Sequence, residues 1–124
     1  MSSVFARDRK YTPFDPIDFC ADLQDELSKY LGNEKYVPKK WRFLLAQGTL
    51  EKCDELMDNI LDANAKKKGS EIRKERIGDA ITNCVQLDRM LARLKNVVPT
   101  ASGGSMTRII ELLTETEMAV RRMF

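Results

Sequence analysis

"YVPKKWRFLLAQGTLEKCDELMDNILDANA", residues 36–65, decides the fold. It contains one proline, Pro38, and one glycine, Gly48. Ala46, Leu50, Cys53, Leu56, Met57, Ile60 and Asn64 recur at helical spacing, and Glu51, Asp54, Glu55, Asp58 and Asp62 form an acidic outer face. This pattern predicts a long amphipathic helix that opens at Pro38 and closes near Ala65. Such a helix needs neighbours to cover its apolar stripe.

Upstream, Asp15-Pro16 reads as an N-cap followed by proline at the first helical position. Ile17, Cys20, Leu23, Leu27, Tyr30 and Leu31 then predict a helix that Gly32-Asn33 stops. Residues 1–14 read as an extended arm and residues 15–124 as one bundle domain.

Downstream, "AKKKGS" (65–70) is a break. Lys66, Lys67 and Lys68 complement the negative end of the preceding helix, Gly69 suits its C-cap, and Ser70 can cap the next helix. Ile77, Ala80, Ile81, Cys84, Leu87, Leu91, Leu94 and Val98 predict a third helix over about 70–98, ended by Pro99. "TASGGS" (100–105) reads as a flexible turn. A fourth helix from Ser105 turns Met106, Ile109, Ile110, Leu113, Val120 and Met123 inward. The expected fold class is all-α, an antiparallel up-down four-helix bundle.

Composition narrows the function. At 43% hydrophobic and 32% charged residues, a folded domain is expected. The net charge is +2, but residues 1–34 carry −3 and residues 35–124 carry +5. A mildly basic bundle permits nucleic-acid binding without demanding it. No histidine is present, and the three cysteines (Cys20, Cys53, Cys84) each fall in an apolar stripe. They read as buried hydrophobes, not as a disulfide framework or a metal site. Without a histidine base or a phosphate-cradling glycine loop, no enzyme, catalytic residue, metal or cofactor is expected. No long apolar run or signal peptide is seen, so the expected location is cytoplasmic, with no membrane partner.

Two further features carry the functional expectations. On an uninterrupted helix Trp41, Leu44 and Gly48 fall well off the inner stripe as a second apolar patch. Subunit contact, packing under the N-terminal arm and base stacking by Trp41 all account for it; subunit contact is taken forward. Arg89 and Arg93 are like-charged i, i+4 neighbours on an outer face. They read either as a solvated face or as a phosphate-contacting strip, with Lys74, Lys66, Lys67 and Lys68 as extensions. Lys39, Lys40 and Arg42 are further candidates for RNA or polymerase contact.

"VPKKWRFLLAQGTLEKCDELMDNILDAN" (37–64) and "RIGDAITNCVQLDRMLARLKNVVP" (76–99) resemble the accessory variability determinant (Avd) proteins of diversity-generating retroelements. The resemblance lies in the Pro-Lys-Lys-aromatic-Arg-Phe opening, in Ala63-Asn64, and in Ala80-Ile81, Asn83-Cys84 and Leu87. It covers roughly residues 36–118. It implies a four-helix bundle that assembles as a homopentameric ring or barrel. It also implies two partners, a reverse transcriptase and its template RNA, bound by a non-catalytic scaffold during mutagenic copying. The chain departs from that family at "AQGTL" (46–50) and at its "AVRRMF" end. Bundle proteins encoded in ribosomal-RNA intervening sequences share the fold and are the alternative, with a structural or protein-interaction role.

Overall fold

A computed structural model describes residues 11–101 and 104–124. The expected arm therefore lies outside the described residues apart from its last four, and so do Ser102 and Gly103 of the expected flexible turn. The described residues form four helices and no strand: α1 (Asp15–Leu31), α2 (residues 39–65), α3 (Glu71–Val97) and α4 (Gly104–Arg121). α1 packs on α2 and α4, and α3 packs on the same two, so the four enclose one core.

The apolar stripes meet in that core. Leu23, Leu27, Leu56, Ile60, Ile77, Leu87, Leu91 and Ile109 are all buried. The stripes are wider than their strongest positions suggest: Thr49, Ala63, Asn83, Leu112, Thr116 and Ala119 are buried as well. Cys20, Cys53 and Cys84 are fully buried free thiols contributed by α1, α2 and α3. A hydrogen bond with Cys53, together with burial, raises the Cys20 thiol well above its ordinary range. Burial pushes Cys84 up to about 12. Cys20 and Cys84 stay protonated, and all three buried residues act as small hydrophobes.

The acidic side of α2 is exposed, with Asp62 half-buried, yet three of its carboxylates reach neighbouring helices. Asp54 accepts from Gln24 Nε2 of α1 at 3.0 Å. Glu55 accepts from Asn83 of α3, whose own amide oxygen accepts from Asn59 at 2.7 Å. Asp62 meets Arg76 Nε of α3 at 2.6 Å. These contacts satisfy the buried Asn83 amide and fix α2 against α3.

Two local departures matter for the surface. At the start of α1, Asp15 lies inside the helix and Phe14 takes the N-cap position. Asp15 instead accepts from the Thr12 backbone N–H and hydroxyl. In α2, one α-turn (Lys39–Trp41) is followed by a π-helical turn (Arg42–Ala46) before the α-helix resumes at Gln47–Ala65. The Gln47 N–H bonds the Arg42 carbonyl, five residues back. The Thr49 hydroxyl donates to the Leu45 carbonyl at 2.8 Å, which adds a side-chain bond where the backbone ladder is irregular.

A π-turn inserts one residue into the helical phase. Trp41 lies twelve positions before Cys53, which on a continuous α-helix places it about 120° away. With one residue absorbed by the bulge, the separation falls to about 20°. Trp41 is accordingly half-buried and packed against the chain's own core.

Candidate nucleic-acid interface

The cations singled out by the sequence divide into engaged and free ones. Arg42 is half-buried, and its Nη2 donates to the Gly32 carbonyl at the end of α1, 3.0 Å away. This explains a basic residue at a helix start. Arg42 serves the negative end of a different helix, so its own helix dipole does not decide its position. Lys66 pairs with Asp62 at 3.3 Å and Lys74 with Glu71 at 3.5 Å. Lys39, Lys40, Lys67, Lys68, Arg89 and Arg93 are exposed and form no ion pair among the described residues. Lys40 lies 5.3 Å from the Trp41 ring centre.

Six of these residues line three separate depressions. Arg89 and Arg93 border an open one of about 820 Å³ with Met90, Asn96 and Val97. Asp88 is its one carboxylate, and it does not pair with either arginine. Lys39 and Arg42 rim a mainly apolar groove of about 530 Å³ floored by Leu31, Ala46 and Leu50, with Phe43 beside it. Lys66 and Lys68 belong to a third cavity, of about 490 Å³, which also includes Arg73 and Arg122. Lys74, though adjacent in sequence, does not line it.

Trp41, Leu44 and Gly48 do not share a face. Trp41 packs inward, Leu44 is 68% exposed, and Gly48 faces Met90 of α3. A Cβ added at Gly48 would meet Met90 Cε at 3.6 Å, an ordinary contact, so packing within the chain does not require glycine there. The apolar residue presented beside Leu44 is Phe43, 81% exposed. An uninterrupted phase hides this pairing; only the π-turn places Phe43 and Leu44 outward together.

Arg73 is the residue most easily overlooked. Its guanidinium donates to the carbonyls of Ala63 and Lys66 at the end of α2, at 2.9 and 3.4 Å. It also donates to Met123 beyond α4, at 3.2 Å. Two helix ends thus converge on one arginine at the start of a third helix. Arg122 stacks on Tyr11 with its guanidinium carbon 3.8 Å from the ring centre. A basic residue after the last turn of a helix is the signal that could have drawn attention to Arg122; nothing local pairs it with Tyr11.

Among the described residues, no group of three or more histidine, cysteine or acidic side chains could hold a metal ion, and no helix is long and apolar enough to cross a membrane. The chain matches no family model, no curated protein and no solved structure.

Proposed function

We propose that this chain is a non-catalytic accessory scaffold of a diversity-generating retroelement, binding template RNA and a reverse transcriptase in the cytoplasm. In this reading it is an antiparallel up-down bundle that assembles into a ring, with the exposed Phe43 and Leu44 at subunit contacts. The observation that carries it is Arg89 and Arg93. They are two exposed like charges one helical turn apart beside an open depression, and neither is engaged by a carboxylate. An isolated bundle has nothing to gain from that pairing, whereas a polyanion relieves it. The resemblance in residues 37–64 and 76–99 supplies the retroelement assignment.

A purely structural bundle is the second reading. The engagement of Arg42, Arg73, Arg76, Lys66 and Lys74 within the chain favours it.

RNA binding by fluorescence anisotropy across a salt series separates the two. The scaffold reading expects steep weakening with salt. Arg89→Glu/Arg93→Glu should flatten the slope by about 1.4 for two lost single-strand contacts. Salt-insensitive or absent binding overturns it. Light scattering on the wild type and on Phe43→Ser/Leu44→Ser tests assembly, and a monomeric wild type removes the ring.

A further inference from the structure

The third cavity is not explained by helix capping alone. It lies where the start of α1, the end of α2, the start of α3 and the end of α4 contribute lining residues. Four cationic side chains line it (Lys66, Lys68, Arg73 and Arg122), and no carboxylate does. The nearby acids are already committed: Asp62 to Arg76 and Lys66, and Asp15 to Thr12. Arg73 is immobilised by three carbonyls and contributes fixed positive charge. Lys68 is exposed and unpaired. Those carbonyls carry the negative ends of two helices, and Arg73 answers them. The charge of Lys68 is then left for a ligand, and Arg122, stacked on Tyr11 and in no ion pair among the described residues, adds to it.

Tyr11 adds a second kind of contact. Arg122 lies over one face of its ring at 3.8 Å, and the residue is 60% exposed. An exposed aromatic ring beside an unpaired cation, Lys68, suits a planar base joined to a phosphate. Asn64, half-buried in the same lining, offers an amide donor and acceptor. At about 490 Å³ the cavity falls in the range of small-molecule sites.

We propose that this cavity holds one nucleotide unit of a single-stranded RNA, with its phosphate against Lys68 and its base on Tyr11. The proposal rests on the RNA-binding reading and deepens it by naming a site distinct from Arg89 and Arg93.

The test titrates isotope-labelled protein with adenosine monophosphate and, separately, with inorganic phosphate, following backbone amide shifts. A labelled oligoadenylate is followed in parallel by anisotropy. The nucleotide should shift the amides of Tyr11, Lys68, Gly69 and Arg73 and saturate at lower concentration than phosphate. Tyr11→Ala should weaken the nucleotide about fivefold or more while leaving phosphate unchanged. Lys68→Glu, at an exposed turn position that leaves folding intact, should weaken both ligands and the oligomer. Equal binding of nucleotide and phosphate overturns the proposal. So does oligomer binding that ignores Tyr11→Ala and Lys68→Glu but is lost in Arg89→Glu/Arg93→Glu; the RNA reading survives that result. A wild type that binds no oligomer overturns the RNA reading and this site with it.

Discussion

The α1–α2 and α2–α3 junctions solve one problem in opposite ways. Each must end a helix, turn and begin another, and each uses an arginine early in the new helix to bond carbonyls ending the old one. At α2–α3 the steps are local, although the C-cap is Lys66 in extended backbone, and Gly69, expected at the cap, serves the turn three residues further on. Gly69 adopts φ +85°, and Ser70 accepts from the Arg73 N–H at 3.3 Å as the N-cap. At α1–α2 the N-cap is Pro38, with no side-chain cap. Gly32 stays in the right-handed region at φ −81°. It serves close approach instead, because a Cβ there would sit 3.0 Å from the Ser28 carbonyl. The helix then opens through a π-turn. Conventional capping leaves a trace in the sequence; a phase change within a helix does not.

The largest test exploits that phase change. If the π-turn holds one surplus residue, deleting exposed Leu44 restores regular α-helix and leaves Trp41 facing the core. Stability should change by no more than about 1 kcal/mol, with tryptophan emission unshifted. Deleting Glu51, also exposed but in regular helix, rotates everything before it by about 100°. Trp41 and Ala46 then leave the core, and the loss should be on the order of 4 kcal/mol in denaturant unfolding. Equal costs for the two deletions would show that the π-turn is not a register insertion.

This is also where the sequence was and was not legible. Periodicity carried the four helices and most of the core, because Leu23, Leu56, Ile77 and Leu91 repeat at the spacing burial demands. The α2–α3 turn was legible because Gly69 and Ser70 each have a local conformational reason to be there. Trp41 was not, because its direction depends on a bulge that "RFLLA" does not announce. Nor was the acidic side of α2 fully legible. Asp54 and Glu55 are exposed as the pattern suggests, but it does not show that they and Asp62 take Gln24, Asn83 and Arg76 of α1 and α3 as partners. Of the candidate site, the free charge of Arg89 and Arg93 could be anticipated. The convergence of Tyr11 and Arg122 could not, because residues far apart in the chain build it.

The two arginines give the next test. Arg73→Met removes charge-assisted bonds to three carbonyls and unfastens two helix ends, so it should cost about 3 kcal/mol. Arg42→Met loses a single bond to Gly32 and should cost about 1 kcal/mol. Chemical denaturation ranks them, and a reversal would make the α1–α2 junction the stronger clasp.

Gly48 sharpens the comparison on the side of α2 that meets Met90. Ala for Gly in a helix interior gains up to about 1 kcal/mol, and here the added methyl makes only an ordinary contact with Met90. Gly48→Ala should therefore raise the unfolding midpoint. If it lowers assembly in light scattering while raising that midpoint, glycine serves approach by another subunit. A lowered midpoint would mean that Met90 cannot accommodate the methyl.

Mild acid should separate the junctions by the smallest margin. The Asn83 amide bond, then Lys52, holds the Glu55 carboxyl below its ordinary range, and the Arg76 bond, then Lys66, does the same for Asp62. A carboxylate with a folded pKa below its unfolded value contributes stability that is fully present above the unfolded pKa. That contribution fades as pH falls through the folded pKa. Both groups bind α2 to α3, whereas the Arg42–Gly32 contact involves no carboxylate. Both carboxylates face solvent, so the effect on global stability is small. Amide hydrogen exchange, corrected for its intrinsic pH dependence, resolves it locally. Protection around Asn59 and Asn83 should fall as pH drops below the ordinary carboxylate range, while protection around Gly32 and Arg42 holds. Parallel loss at both junctions would mean that acid acts on the core as a whole, and that the α2–α3 seam owes its order to the apolar packing beneath it.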